Sequence, residues 1–451
     1  MTGVKKNFLK LTLDKSHFIT ERRVGRMTIK TYYRRILIML LIASVIYTID
    51  ATYRFINRNI PDTINLRADE DETFDLKIPV AATISSDDRE VSLEGETGLL
   101  NKNIKISTNQ DVSRSELLSG KYNIDIKLLG VFNFKSIQVN VIEKQKVIPC
   151  GFPIGIYLET DGVMVIGTGD VKSMNGDVTD PADNKVWSGD YIVSLNNIPV
   201  SSKSQLIFLV NKYGNDDIIL GIRRKDEVIN VKINAVETSA GEYKMGIWVR
   251  DDTQGIGTLT YVTEDGTFGA LGHGISDIDT GELLASNTGV LYEADIWGIK
   301  KGENGAPGGL CGVVNYEDDC VLGTIKGNTT KGIFGDAEDR LINMCSNSPM
   351  DICLKQNIKK GPAKIRCMLD GAINEYDIEI TDIDRTDSTT NKGMVIQVTD
   401  PRLLSITNGI VQGMSGSPII QDGKLVGAVT HVFVNDPTKG YGIFIENMLE
   451  H

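Results

Sequence analysis

Alternating apolar and polar residues recur along most of the chain and predict a mainly β protein. Between residues 121 and 143, for example, Ile124, Ile126 and Leu128 alternate with polar neighbours, which is the period-two pattern of a half-buried strand. Similar runs, separated by glycine-containing turns, continue to the C-terminus. We expect residues 60–147 to form a small β module that serves as a spacer or interaction surface.

One segment between these runs has helical periodicity instead. Leu206 and Val210 are spaced as one face of a helix. Ser202 precedes them as a suitable N-cap, and Gly214 follows the last predicted turn. Strand-like runs flank this helix on both sides, so residues 148–236 are predicted as a separate domain of strands with one helix.

An uninterrupted apolar run, residues 36–49, lies near the N-terminus. It follows a basic segment, because residues 1–35 contain ten lysines and arginines against two acidic residues. This order is typical of a signal peptide or a membrane anchor whose N-terminus stays in the cytoplasm. Residues 1–59 are therefore predicted as a cytoplasmic end plus signal or anchor segment, with a buried core helix as the alternative.

The charge balance argues against nucleic acid as a partner. The chain has a net charge of −12, and since its first 35 residues carry +8, the other 416 residues carry −20. A body this acidic has no general attraction for phosphate backbones.

The counts of cysteine and histidine limit the chemistry of the chain. Six cysteines would permit three disulfides in an oxidising compartment without requiring any. With four histidines and no Cys-x-x-Cys spacing, a structural metal site has few ligands to use. We therefore expect no structural metal, and the serine chemistry predicted below requires no cofactor.

Residues 257–276 are predicted to form a hairpin that leads to a candidate catalytic residue. An Asp-Gly pair marks the turn, and His273 follows the return strand between Gly272 and Gly274. Flanking glycines let a ligand approach closely and leave the imidazole accessible. Histidine is also the side chain whose ordinary pKa suits a general base near neutral pH.

A second motif, near the C-terminus, supplies a candidate nucleophile. The sequence G-M-S-G-S-P, Gly413–Pro418, resembles the nucleophile loop G-x-S-G-x-P of chymotrypsin-like serine peptidases. The resemblance makes Ser415 the nucleophile and the amides of Gly413 and Ser415 the donors of an oxyanion hole. It also implies a two-barrel, chymotrypsin-like peptidase domain over residues 237–451.

Two further roles have competing candidates. We predict His273 as the base. For His431, on the strand after the nucleophile hairpin, three alternatives are open: a packed strand residue, a wall of the specificity pocket, or the base itself. Asp400 is the predicted acid because its strand ends at an Asp-Pro turn, although an aspartate there equally caps such a turn. The alternative acids are Asp277, Asp318 and Asp319.

The order of elements over residues 148–236 resembles a PDZ domain. A GFPIG loop is followed by strands and then by the one amphipathic helix; in PDZ domains such a loop binds a peptide carboxylate and the next strand adds the peptide to a sheet edge. A β-rich linker domain without a peptide ligand is the alternative. The resemblance implies a carboxylate loop of Phe152, Pro153, Ile154 and Gly155, a docking strand from Ile156 to Leu158, and a groove wall of Leu206 and Val210.

The order of the segments gives a further resemblance, which covers nearly the whole chain. A membrane signal, a β module, a PDZ-like domain and a peptidase with ALGHGISD, GMSGSPI and VTHVFVNDPTKGYGIFIENML are similar to the stage IV sporulation protein B family of endospore-forming bacteria. The resemblance implies a sporulation-signalling serine endopeptidase, exported across the forespore membrane into the space between forespore and mother cell. There the family cleaves itself and a membrane-bound regulator of an intramembrane metalloprotease, which leads to pro-sigma factor processing.

The predicted partners follow from this resemblance. They are a protein substrate, a membrane, and a peptide ligand of the PDZ-like domain, for which the chain's own N-terminal region is one candidate. The competing hypothesis is a non-catalytic, membrane-tethered PDZ scaffold.

Overall fold

The part of the protein that the computed structural model describes comprises residues 29–59, 61–67, 72–76, 82–85, 91–97, 102–108, 121–128, 132–225, 227–286, 288–345, 348–385 and 391–450. Chain contacts divide the protein into two units, residues 1–55 and 56–451. Helix α1, Ile29–Asn59, contains the predicted apolar run. Within the described residues, no helix is both long enough and apolar enough to cross a membrane.

The segment from residue 61 to residue 142 forms two small sheets. Its strands are β1 (Thr63–Arg67), β2 (Glu72–Leu76), β3 (Ala82–Ser85), β4 (Val91–Thr97), β5 (Lys102–Thr108), β6 (Lys121–Leu128) and β7 (Phe132–Ile142). One sheet has the order β1-β7-β6-β3, and the other has the order β2-β5-β4. The strand predicted around Ile124 is β6, which pairs with β7 in antiparallel register.

The remaining elements, residues 146–449, alternate long strands with a few short helices. The first group is β8 (Lys146–Pro149), β9 (Pro153–Thr168), β10 (Val171–Lys172), β11 (Val178–Thr179), β12 (Tyr191–Leu195), β13 (Ile198–Pro199), α2 (Lys203–Tyr213), β14 (Ile218–Arg224), β15 (Glu227–Ile233), β16 (Val236–Ser239) and β17 (Glu242–Lys244). The second group is β18 (Ile247–Thr263), β19 (Thr267–Ala270), β20 (Thr288–Lys300), β21 (Gly309–Val314), β22 (Val321–Thr329), β23 (Gly332–Ala337), α3 (Asp339–Met344) and β24 (Met350–Asp351). The third group is β25 (Gly361–Met368), β26 (Ile373–Ile383), β27 (Met394–Val398), α4 (Pro401–Thr407), β28 (Pro418–Gln421), β29 (Lys424–Phe433), β30 (Asp436–Phe444) and α5 (Ile445–Leu449).

Strands β9 and β18 close a first barrel. They run antiparallel over almost their full lengths, from Pro153 opposite Thr258 to Thr168 opposite Ile247. The first half of β9 also pairs with β20, and β22, β23 and β19 continue the ring back to β18. Although β9 precedes residue 237, where the peptidase domain is predicted to begin, its first half is therefore a strand of this barrel.

A second barrel follows in the chain. Strands β25, β26, β27, β30, β29 and β28 form a closed ring in that order. Along β25, Ala363, Ile365 and Cys367 are buried at alternate positions, because successive side chains of a strand point to opposite faces. These residues belong to one large apolar core, and the prediction of a mainly β protein is confirmed.

The C-terminal half of β9 and the N-terminal half of β18 extend beyond the first barrel. Together with helix α2 they form a smaller layered region. Ser202 caps α2 by accepting a hydrogen bond from the amide of Gln205, as the sequence predicts. Gly214 has a right-handed backbone, so a left-handed turn is not the reason for this glycine. A Cβ atom at Gly214 would lie 2.0 Å from the ring of Tyr243, and the glycine therefore makes room for that ring.

Strand β1 is attached to the C-terminal part of the chain by buried polar contacts. The side-chain amide of Asn65 donates to Glu446 Oε1 at 2.6 Å, and the side-chain amide of Gln356 donates to the backbone oxygen of Asn65 at 2.7 Å. Burial raises the pKa of the Glu446 carboxyl above its usual range. These contacts join β1 to the C-terminal part of the chain.

Candidate active site

The loop that carries Ser415 is a tight turn between α4 and β28. The amide of Met414 donates to Val411 O at 3.1 Å, and the amide of Ser417 donates to Met414 O at 3.0 Å. Gly413 and Gly416 have φ angles of +95° and +97°, which glycine adopts without steric cost.

Strand β18 of the first barrel fixes this loop through hydrogen bonds. The amide of Thr258 donates to Ser415 O at 2.9 Å, and its hydroxyl donates to Gly413 O at 2.7 Å. Two residues further along the strand, the hydroxyl of Thr260 donates to Gly416 O at 2.8 Å. Because three carbonyl groups of the loop are bound to one strand, the two barrels fix the loop together.

The two amides predicted for an oxyanion hole are available. Among the residues that the structure describes, neither the Gly413 amide nor the Ser415 amide donates to an acceptor. Met414, between them, has a fully buried side chain in the core of the second barrel. A buried anchor between two free amides suits a loop that stabilises a negatively charged oxygen.

His273 lies in the loop that follows β19, where the two barrels meet. Leu271 and Gly272 take φ angles of +67° and +70°, and a Cβ atom at Gly272 would lie 2.8 Å from a methyl carbon of Ile443 in the second barrel. His273 Nδ1 lies 2.9 Å from Gly274 O; with the proton on Nδ1, Nε2 keeps its lone pair. Burial lowers the pKa of the half-buried His273 imidazole below its usual value. The ring therefore stays neutral at pH values at which an exposed histidine would be protonated.

His273 and Ser415 line the same cavity, which has a volume of about 460 Å³. The Ser415 hydroxyl donates to Thr430 O at 2.6 Å. The cavity therefore contains a hydroxyl, an imidazole and two free amides, the groups that acyl transfer requires.

His431 lines this cavity too. Its ring centroid lies 4.8 Å from that of His273, with an angle of 37° between the ring planes. The pKa of His431 is lowered to about 4, mainly by desolvation in the cavity and to a smaller extent by the nearby His273 and Lys392. The side chain nevertheless remains exposed to solvent. Of the alternatives for His431, the position in the cavity wall agrees with a contact to substrate.

The structure corrects the predicted acid, Asp400. This residue is the N-cap of α4: Oδ1 accepts from the amide of Arg402 at 2.8 Å, and Oδ2 accepts from the Arg402 guanidinium at 2.7 Å and from the amide of Asp377 at 3.2 Å. The hydrogen bonds from Arg402 hold the pKa of Asp400 well below its usual range. Asp400 is thus bound to its own helix end and is absent from the lining of the cavity, so the turn-capping alternative is correct.

The other candidate acids are not bound to His273 either. Asp277 is buried and forms an ion pair with Arg250, while its second oxygen accepts from the amides of Asp279 and Thr280. Asp318 and Asp319 are exposed on a short 3-10 turn. Among the described residues, the hydrogen-bond partner of His273 is therefore a backbone carbonyl rather than a carboxylate.

The structure also corrects the predicted peptide-docking strand. Phe152, Pro153, Ile154, Gly155 and Ile156 are all buried. Both edges of this part of β9 are occupied, because Ile156 lies opposite Gly255 of β18 on one side and opposite Leu291 of β20 on the other. A strand in the middle of a barrel has no free edge to which a peptide can add.

Leu206 and Val210, the predicted groove wall, face a different strand. They line a cavity of about 340 Å³ whose opposite wall is the start of β18. There Ile247–Val249 pair with β9 along one edge, and their other edge has no partner strand in the described part of the chain. We call this cavity, between α2 and Ile247–Val249, the helix groove.

One end of the helix groove is formed by residues 243–246, that is, the end of β17 and the turn after it, a loop that sequence reasoning missed. The amide of Tyr243 donates to Asn211 Oδ1 at 2.9 Å, and its hydroxyl donates to Asn215 Oδ1 at 2.8 Å, so the loop is attached to the C-terminal end of α2. Gly246, with a φ angle of +69°, leads from the loop into β18. The Met-Gly-Ile sequence at residues 245–247 was the available signal.

A serine hydroxyl, an imidazole and two free amides in a cleft between two β barrels define a serine peptidase. Residues 241–449 match the family described as SpoIVB peptidase S55. The match covers somewhat less than half of the chain and confirms, over these residues, the predicted resemblance to the stage IV sporulation protein B family.

Comparisons with curated protein sequences and with solved structures do not extend this assignment. No curated protein sequence matches the chain. Among solved structures, the chain is similar to Rv3671c from M. tuberculosis H37Rv, a serine-to-alanine mutant in an inactive form, with 13% sequence identity over 43% of this chain and 80% of that chain and a TM-score of 0.25.

Proposed function

We propose that the protein is a serine endopeptidase in which His273 and Ser415 act as a pair. The observation that carries this proposal is the common cavity of the two side chains between the barrels. Ser415 turns its hydroxyl from Thr430 O to His273 Nε2, loses its proton to the imidazole and attacks the peptide carbonyl. Gly274 O holds the proton on Nδ1 and so takes the orienting position that an aspartate occupies in a triad.

The amides of Gly413 and Ser415 then stabilise the tetrahedral intermediate. Both are free to donate, and the chymotrypsin-like loop that they belong to is fixed by Thr258 and Thr260 before substrate binds. A preorganised donor pair lowers the barrier because it needs no rearrangement when the charge develops. The imidazolium next returns its proton to the leaving amine, and water repeats the sequence on the acyl-enzyme.

The proposed biological role is the signalling role of the SpoIVB family. The substrates are then the chain itself and a membrane-bound regulator of an intramembrane metalloprotease. Export across the forespore membrane, with residues 36–49 as signal or anchor, is supported by the basic flank of that run. The alternative, a scaffold that binds without cleaving, gives no reason for two free amides beside Ser415.

Labelling with a fluorophosphonate probe tests the assignment of the nucleophile. The loop offers a matched control, because Ser417 lies two residues from Ser415 but its hydroxyl is buried and has no hydrogen-bond partner among the described residues. We expect the wild type and Ser417→Ala to gain the mass of the probe, and Ser415→Ala to gain none. Labelling that persists in Ser415→Ala would contradict the proposal, and folded wild-type protein without any labelling would favour the scaffold.

We propose that the helix groove binds the C-terminal end of a peptide. The free edge of Ile247–Val249 offers backbone groups for strand addition, α2 offers an apolar wall, and the loop at residues 243–246 lies where the carboxylate would end. This location replaces the predicted one on β9 and keeps Leu206 and Val210 in their predicted role.

Two exposed apolar residues on α2 make the test specific. Ile207 lines the helix groove, whereas the somewhat more exposed Phe208 does not. In a screen of peptides with free C-terminal carboxylates, we expect Ile207→Lys to weaken the selected peptides by about tenfold or more and Phe208→Lys to leave them unchanged. Equal weakening by both variants, or undiminished binding of C-terminally amidated peptides, would argue against the groove.

A further inference from the structure

Two cysteines that are 195 residues apart in the chain meet inside the first barrel. The Sγ atoms of Cys150 and Cys345 lie 3.1 Å apart. Both side chains are almost completely buried, with 1% and 6% of their surface exposed, and both belong to the apolar core of that barrel. Two sulfur atoms at this distance need to approach by about 1 Å to reach the length of a disulfide bond.

The backbone of each cysteine is held in place by hydrogen bonds. The amide of Cys150 donates to Thr260 O at 2.9 Å. The amide of Cys345 donates to Leu341 O and Ile342 O and thereby ends helix α3.

The segment around Cys150 also joins the two barrels beneath the candidate active site. The amide of Gly151 donates to Leu259 O of β18, and Gly151 O accepts from the amide of Met368 in β25. Thr260, which accepts from Cys150, binds the loop of the nucleophile through its hydroxyl. A covalent bond at Cys150 would therefore restrain a segment one step from the serine loop.

We propose that Cys150 and Cys345 are a structural disulfide site that is oxidised by a small-molecule disulfide during folding. The Cys345 thiolate attacks one sulfur of oxidised glutathione, forms a mixed disulfide and releases one glutathione thiol. Cys150 then loses its proton, attacks the Cys345 sulfur and releases the second glutathione thiol. The two protein thiols lose two electrons and two protons, and one glutathione disulfide is reduced to two thiols.

The burial of the pair determines when the exchange takes place. Since both sulfurs are buried in the folded protein, the exchange takes place before α3 packs onto the barrel. The finished bond is then shielded from reductants in solution.

The test uses the full-length protein, refolded in a glutathione redox buffer and then alkylated in denaturant. We expect the mass of four alkyl groups instead of six, and a peptide cross-linked through Cys150 and Cys345 after digestion. The Cys311→Ser variant, which changes a cysteine outside the pair, should keep this cross-link. Alkylation of all six cysteines, a lasting glutathione adduct or a cross-link between other cysteines would each overturn the proposal.

Thermal unfolding gives a second test, which compares the oxidised and reduced forms of the same protein and does not depend on how well a single cysteine variant folds. We expect the oxidised wild type to melt about 5–10 °C above the reduced wild type, because the bond closes a long loop in the unfolded chain. In the double variant Cys150→Ala/Cys345→Ala, oxidation should leave the melting temperature unchanged. A shift of equal size in the double variant would show that the stabilising bond lies elsewhere.

Discussion

Replacing His273 with alanine is expected to lower kcat/KM for peptide cleavage by about 10⁴-fold, whereas replacing His431 with alanine lowers it less than about tenfold. Both imidazoles line the cavity of Ser415 and lie 4.8 Å apart, so the pair is a matched comparison. His273 has its tautomer fixed by Gly274 O. Among the described residues, the ring nitrogens of His431 have no hydrogen-bond partner that would fix theirs.

The measurement is the rate of cleavage of a peptide substrate by the two variants, with fluorophosphonate labelling as a second readout. We expect His431→Ala to change KM or the preferred substrate residue more than kcat, because His431 forms part of the cavity wall. If His431→Ala removed as much activity as His273→Ala, then His431 would take part in proton transfer and the two-residue mechanism would be wrong.

Local sequence signals were enough to select the two candidate loops. The glycines around His273 and the G-M-S-G-S-P motif are short-range patterns, and the structure brings both loops to one cavity. The closure of the first barrel was not predictable in this way. It depends on the pairing of β9 with β18 across about 90 residues, and hydrophobic alternation does not specify which distant strand is the partner.

The error over Asp400 has a local cause. An aspartate before a proline is both a strand-end residue that can reach a cavity and a helix N-cap. Arg402, two residues further on, decides between them, because its guanidinium and amide bind both carboxylate oxygens. The sequence shows Arg402, but not the α4 helix geometry that directs its side chain back to Asp400.

The misplaced peptide site has a different cause. Two segments combine glycine with apolar residues in the way that a carboxylate loop does, one at residues 151–156 and one at residues 245–249. Their hydrophobic patterns are alike, and the difference is whether the strand that follows has a free edge. Edge availability is a property of the assembled sheet, so sequence alone did not separate the two.

Strand β18 connects the two proposed sites. It borders the helix groove at Ile247–Val249, lines the cavity of His273 and Ser415 at residues 253–256, and binds the serine loop through Thr258. Between these points Arg250 pairs with Asp277, which lies four residues after His273. A peptide that adds to the start of β18 would therefore bind to the same strand that positions both candidate catalytic loops.

The second large effect is expected at Gly416, where the serine loop touches β18. A Cβ atom there would lie 1.9 Å from Thr258 O and 2.7 Å from the amide nitrogen of Leu271, and the φ angle is +97°. Both contacts are to backbone, which cannot rotate away as a side chain can. We expect Gly416→Ala to lower the free energy of unfolding by about 3 kcal/mol or more and to abolish labelling of Ser415.

Gly423 is the matched control for this substitution. It also has a positive φ angle, +72°, but a Cβ atom there would meet no other atom within 4 Å. Gly423→Ala should therefore cost only the backbone strain of about 1 kcal/mol and keep the labelling rate. Chemical denaturation and the rate of fluorophosphonate labelling measure the two effects. Equal losses in both variants would mean that backbone strain, and not contact with β18, sets the cost at Gly416, so the hold of β18 on the nucleophile loop would be weaker than we infer.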